Sequence, residues 1–195
     1  MWRRARLPLP IAPEPTHPEV VEMIVMTSDL ALAILRVTAG LLIAGHGAMK
    51  VFGTFRGPGL RQWTSHVAGM GFRPAAVWAR VAAGGELLGG LALAMGFLTP
   101  IAAAVCAVNM LVAIWKVHWT KGLWVTQGGY EYPLVLFVLS TVIGLRGVTE
   151  YSLDQVLGLA QSAPLAFVAV LLSGTVLAAI GGAPVPLGRR HQRAA

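Results

Sequence analysis

The chain holds one cysteine, Cys106, and it lies inside an apolar run, so an internal disulfide is excluded and dithiol chemistry would need a partner protein. Acidic residues number 8 against 15 basic, and charged residues of both signs make up only 12% of the chain. That is too little polar surface for a soluble globule. The Cys/His spacings of a structural metal site are missing, as are a phosphate-cradling glycine loop, a Gly-x-Ser-x-Gly elbow and a dinucleotide fingerprint. With 195 residues there is room for a helical bundle and its loops, but not for a separate catalytic domain as well.

What the chain has instead is apolar length. Hydrophobic residues make up 56% and mean hydropathy is +0.69, the composition of a chain solvated mainly by lipid. A hydrocarbon core of about 30 Å needs about 20 helical residues at a rise of about 1.5 Å. Four runs answer to that: Leu30 to Met49, Ala75 to Phe97, Ile101 to Val117, and the shorter Tyr132 to Leu145. Ala163 to Gly182 is a fifth candidate, preceded by Pro164 and broken by Gly174. Tight connectors such as Leu98-Thr99-Pro100 predict antiparallel neighbours. The expected fold is therefore all-α: a polytopic membrane protein with an up-down four-helix transmembrane bundle and a fifth C-terminal span, because in lipid a helix satisfies its own backbone.

The first residues differ in kind. Met1 to Glu22 carries Arg3, Arg4 and Arg6, then Pro8, Pro10, Pro13, Pro15 and Pro18, with no apolar period and no continuous core of a signal peptide. The division predicted is a disordered tail over 1–28, a four-helix unit over 29–155, and an added helix with a basic tail over 156–195. Ser28 or Asp29 is expected to cap the first span, with translation starting at Met23 or Met26. The mass of the native protein would test that start.

With five spans, one side gathers Lys50, Arg56, Arg61, Arg73, Lys116, Lys121, Arg189, Arg190 and Arg193, and the other mainly Asp29, Arg146, Glu150 and Asp154. The basic side is expected to be cytoplasmic. Trp78, Trp115, Trp119, Trp124, Phe52, Phe55 and Phe72 fall on the same side, as interfacial anchors would. Between the first two spans, Leu60, Trp63, Val67 and Met70 recur at helical spacing opposite Arg61, Gln62, Ser65 and His66, which predicts a short interfacial helix. The net charge of +7 reflects these span borders and anionic lipid; no recognition motif accompanies it, so nucleic acid is not the expected partner.

Two of the spans hold a buried-looking ionisable residue, Arg36 in the first and Glu86 at the centre of the second, and such residues normally face a bundle interior or cavity. Each lies on a stripe of small residues. Around Glu86 these are Ala79, Ala82, Ala83, Gly89 and Gly90, with a GxxxG step from Gly85 to Gly89; around Arg36 they are Ala33, Gly40, Ala44 and Gly47. Their depths differ by roughly 5 residues, about 8 Å. Either Arg36 and Glu86 form a structural ion pair, or one of them is a working proton or ligand site. A second group gathers at the basic face: His46 and Lys50 end the first span, Lys116 and His118 the third, and Glu131 opens the fourth. Two histidines from two helices could bind haem or hydrogen-bond a quinone, or could simply anchor loops. Asn109 and Asp154 are secondary candidates.

In order along the chain come Leu35-Arg36 with Gly40, Gly45-His46-Gly47 with Lys50 and Phe52-Gly53, Glu86-Leu87-Leu88-Gly89-Gly90 with Gly96-Phe97-Leu98-Thr99, His118 before Gly128-Gly129-Tyr130-Glu131-Tyr132, and Tyr151-Ser152-Leu153-Asp154. This ordered set, over about residues 30 to 154, resembles the DoxX family. The resemblance implies a small protein of the bacterial inner membrane with a four-helix core. It also implies that Arg36, His46, Lys50, Glu86, His118, Glu131 and Asp154 are the family-type polar positions, without giving any of them a chemistry. Family members include a subunit of a thiosulfate:quinone oxidoreductase and membrane partners of soluble redox enzymes.

Three readings of function follow. One is a non-catalytic membrane subunit that docks a soluble cytosolic redox enzyme, in thiol, oxidative-stress or sulfur-oxidising metabolism, on its basic face. Another is a quinone- or haem-binding oxidoreductase subunit using His46, His118, Glu86 and Glu131. A small-solute carrier gains least, since paired inverted halves are missing and only a homo-oligomer would supply them.

Overall fold

A computed structural model describes residues 18–159 and 163–183, and every regular element in it is helical. The elements are α1 (Pro18–Phe52), α2 (Gly59–Gly69), α3 (Ala75–Met95), α4 (Thr99–Ala113), α5 (Glu131–Arg146), the one-turn α6 (Leu153–Val156) and α7 (Ala163–Gly181). α4 continues through a wider turn, Ile114–His118, into Trp119–Lys121. Among the described residues, three helical stretches are long and apolar enough to cross a membrane: Ala75–Met95, Thr99–Lys121 and Ala163–Gly181. The fifth run thus has the length and the composition of a span. α5, with 16 residues, reaches only about 24 Å.

α1 and α3 lie antiparallel with their backbones touching. A methyl group on Gly40 would fall 2.5 Å from the Ala94 nitrogen, and one on Gly90 the same distance from that of Ala44. The small-residue stripe therefore sets the register of the pair, and that register places Lys50 opposite Glu86 and Arg36 opposite Gly96. The Gly85 to Gly89 step does different work. It faces α4, against Val105, Cys106 and Asn109, so α3 uses two glycine faces for two neighbours.

α4 is the central helix, packed on α3, α5 and α7, with Ala102, Ala103, Ala104, Cys106, Ala107 and Met110 all buried. α7 runs parallel to it: Gly174 meets Val108, and Lys116 Nζ donates to the Gly182 carbonyl at 2.8 Å. Trp78 closes over Gly181, and the Arg73 amide donates to the Gly181 carbonyl at 3.1 Å. α2 presents Trp63, Val67 and Met70 to α3 and leaves Arg61, Gln62, Ser65 and His66 exposed, as the pattern predicts.

The start of α1 differs from expectation. The helix begins at Pro18, so Ser28 and Asp29 are interior positions and neither caps it. Ser28 Oγ donates back to the Val25 carbonyl at 2.8 Å, while the Asp29 carboxylate receives Arg146 Nη2 at 3.3 Å and the Glu150 amide at 3.4 Å. No glycine or proline interrupts residues 19–29, so the helix runs past a residue type that often begins one, and tertiary partners claim the Asp29 side chain that would have capped it. Residues 1–17 of the expected tail and Arg189, Arg190 and Arg193 lie outside the described residues.

The connector from α3 to α4 is built on Asp154. Gly96 ends α3 at φ 68° and Leu98 enters α4 at φ 47°, with Pro100 in the first turn. The fully buried Asp154 carboxylate accepts from the Leu98 amide at 2.6 Å and the Thr99 amide at 2.8 Å, capping α4 from a residue far along the chain. Asp154→Ala, which leaves both amides without an acceptor, is expected to lower stability by about 1–3 kcal/mol, and Asp154→Asn by less. Thermal unfolding in mild detergent measures both; an unchanged midpoint for Asp154→Ala would show that the cap contributes nothing.

Candidate functional site

The sequence offers two separate charge groups, and the structure redistributes them. Glu86 is paired with Lys50, not Arg36: Lys50 Nζ stands 2.5 Å from both carboxylate oxygens, with Glu86 3% exposed and the Lys50 side chain 19%. The register of α1 on α3 is the reason: with Lys50 opposite Glu86, Arg36 lies about four turns, roughly 21 Å, away along α1. Arg36 instead donates through Nη2 to the Tyr151 carbonyl at 2.5 Å, near the other end of the bundle.

Lys50 also lies over the Trp63 ring, 4.5 Å from its centroid, so the ammonium sits between a carboxylate and an aromatic face. One turn earlier, His46 packs against Tyr132 with ring centroids 5.5 Å apart. His46, Lys50, Glu86 and Tyr132 together form one end of a cavity of about 540 Å³. Asn109 and His118 line it as well. The rest of its wall is apolar, drawn from α2, α3, α4 and α7, with Trp63, Trp78, Val105, Val108, Val112 and Leu177 the principal contributors.

His118 is tied at one nitrogen. Its Nδ1 lies 2.6 Å from the Gly128 carbonyl, which can only accept, so Nδ1 carries the proton and Nε2 in the neutral ring keeps its lone pair. This is the loop-anchoring role that the sequence allows, and it leaves the second nitrogen available to a donor. Asn109 Nδ2 donates to the Val105 carbonyl at 3.0 Å, a helical back-bond.

Two members of the basic-face group do not reach the cavity. Glu131 Oε2 accepts the Val125 amide at 2.9 Å, folding the loop between α4 and α5 onto the start of α5. Lys116 holds the end of α7 and lies 3.9 Å from the centroid of Trp115. Asp154 and Arg36 are at the opposite end. The structure thus gathers His46, Lys50, Glu86, Asn109 and His118 of the expected residues and disperses Arg36, Glu131 and Asp154.

Sequence reading missed Tyr132 and Trp63 as site residues, and the wall that α7 supplies. Trp63 lies on the predicted inner face of the short helix, which was a usable signal. Nothing local marks Tyr132, whose place depends on how α5 packs. The chemistry available at the polar end is donation from Lys50 and from a histidine, acceptance at His118 Nε2, and proton exchange through a carboxylate already bound to an ammonium. Among the described residues there is no group of three or more His, Cys, Asp or Glu arranged to hold a metal ion.

Comparison with known proteins bears on the first half of this architecture. Neither curated proteins nor solved structures give a match. The family model for DoxX matches residues 31–119, which run from the middle of α1 to just beyond α4 and include Arg36, His46, Lys50, Glu86 and His118. α5 and α7, which complete the cavity wall, lie beyond the matched stretch. Over residues 31–119 the chain is similar to the DoxX family.

Proposed function

We propose that this is a multi-pass protein of the bacterial inner membrane in which α1, α3, α4 and α5 form an up-down four-helix unit and α7 crosses as a fifth span, with the basic loops cytoplasmic. In it the cavity holds a lipid-soluble aromatic carbonyl compound of the quinone class, making the chain a membrane subunit of an oxidoreductase system. The observation that carries this reading is the cavity's polarity. Its walls are mainly Val, Trp and Leu, suited to a ring and an apolar tail, while hydrogen-bonding side chains come from Lys50, His46, Tyr132, Glu86, Asn109 and His118. Lys50 would donate to one carbonyl oxygen of the ring. His118 Nε2 would accept from the hydroxyl of the reduced form. Glu86 holds Lys50 in place through both carboxylate oxygens, so the donor is preorganised rather than recruited.

Purification from native membranes in mild detergent, followed by organic extraction and an absorption spectrum, tests this directly. The expected result is a quinone recovered in near-stoichiometric amount from the native protein and depleted in Lys50→Met, with no Soret band. An extract no richer than that of a control membrane protein would refute it, and a Soret band would move the assignment to haem held by His46 or His118.

A second reading, docking of a soluble redox enzyme, is favoured by a different feature. Arg56, Arg61 and Lys121 are exposed on the basic side beside exposed Phe52, Phe55, Trp119 and Trp124. Such a surface suits both lipid headgroups and an acidic protein partner. A stoichiometric soluble enzyme in the same preparation would support it.

A further inference from the structure

The wall of the large cavity is not closed all round. Toward the basic loops it is sealed by α2 and the turn into α3, where the lining residues Val67 and Phe72 are 2% and 4% exposed. Val77 and Val81 of α3 and Leu177 of α7 line the same cavity, yet they are 51%, 56% and 58% exposed. Side chains that face a cavity and the outside at once mark its edge. The remaining exposed wall residue, Tyr132, stands against His46 at the polar end, a rim that suits a proton donor and not an alkyl chain.

The helix packing explains where that edge lies. α3 and α7 both pack along α4, the first through Gly85 and Gly89 on Val105, the second through Gly174 on Val108, but they do not pack along each other. Their basic ends are joined, since the Trp78 ring meets Gly181 and the Arg73 amide donates to the Gly181 carbonyl at 3.1 Å. Deeper in, a slot separates the two helices, with Val77 and Val81 on one lip and Leu177 on the other. Val81 lies six residues past Ala75 and Leu177 four residues before Gly181, a depth of roughly 6–9 Å inside both helices. In a spanning bundle that depth is hydrocarbon, not water.

We propose that the slot between α3 and α7 is a lateral portal: a long-tailed ligand enters through it from the bilayer, and its tail stays in the slot and the lipid after the ring has seated at Lys50. This inference deepens the quinone reading above and rests on it. A cavity of about 540 Å³ has the size of a site for a drug-sized molecule, so it takes a ring with a short substituent but not a long isoprenoid tail. A closed wall would exclude such a tail. An open slot leaves it among acyl chains, so no apolar surface has to be transferred to water when the ligand binds or leaves.

The test uses the full-length protein in lipid nanodiscs, titrated with a short-tailed and a long-tailed quinone of the same headgroup at equal mole fractions of lipid, and follows the saturable quenching of tryptophan fluorescence. The native protein should bind both at similar mole fractions. In the double variant Val81→Phe, Leu177→Phe, whose rings narrow the slot from both lips, short-tailed binding should be unchanged and long-tailed binding weaker by about tenfold or more. Val176→Phe, at an exposed position of α7 outside the cavity wall, should match the native protein with both compounds. Long-tailed binding retained in the double variant would overturn the portal and leave the quinone reading standing, as would a native protein that binds only the short-tailed compound. Saturable quenching by neither compound in the native protein would overturn the quinone reading and the portal with it. Should the double variant lose both ligands, Leu177→Phe alone, which alters only the outer lip of α7, decides between a blocked tail and a damaged cavity by the same comparison.

Discussion

Replacing Glu86 by alanine is expected to destabilise the bundle by about 3–5 kcal/mol, because it strands the Lys50 ammonium in a site that is mostly closed to solvent. Lys50 touches both carboxylate oxygens at 2.5 Å and lies over the Trp63 ring. The informative comparison is the double variant Lys50→Met, Glu86→Leu. Removing both charges restores an apolar contact between α1 and α3, so it should recover most of the loss and could exceed native stability by about 1–4 kcal/mol. Glu86→Gln, which retains an acceptor, should fall between. Unfolding in a mixed-detergent titration measures all three, and a Glu86→Ala variant as stable as the double would show that the pair is not formed. Binding tested in the same variants separates the roles: the double variant should be stable yet unable to hold the ligand.

The second large effect is steric. Gly90→Leu should prevent α1 from seating on α3 and cost more than about 4 kcal/mol, since a side chain there has no room beside the Ala44 backbone. Gly40→Leu meets the Ala94 backbone and should behave alike. Gly84 is the control. Nothing lies within 4 Å of a methyl group added to it, so Gly84→Ala should be neutral or stabilising by up to about 1 kcal/mol through helix propensity. The same titration applies, and equal effects for Gly84→Ala and Gly90→Leu would mean that close backbone approach does not hold the pair together.

These glycines also explain what the sequence could tell and what it could not. Span positions were legible because apolar length is a local property: Ala75–Met95 and Ala163–Gly181 end within two residues of their expected bounds. The small-residue stripes marked which faces are in contact. The stripes left the register open, and the register decides partners. A shift of about four turns along α1 separates an Arg36 to Glu86 pair from the Lys50 to Glu86 pair that forms. Side chains that fold loops were likewise invisible, because Glu131 and Asp154 find backbone amides that no spacing rule connects to them. The cavity itself requires α5 and α7 to close over α3 and α4, a tertiary arrangement beyond any motif.

Arg36 illustrates the cost of reading a buried charge as half of a pair. Its spacing and depth suggested a carboxylate partner, and the nearest candidates turned out to be occupied by backbone amides. The polar positions expected from the sequence therefore fall into three groups: Lys50, Glu86, His46 and His118 at the cavity, Asp154 and Glu131 as acceptors of backbone amides, and Arg36 at the opposite end.

The most direct measurement is a titration of the purified protein with a short-chain quinone, following the fluorescence of Trp63 and Trp78, both in the cavity wall. The account predicts saturable quenching that weakens by at least about tenfold in Lys50→Met and disappears in Val108→Phe, which enlarges a wall residue. Quenching that is linear in quinone, or identical in all three proteins, would contradict it.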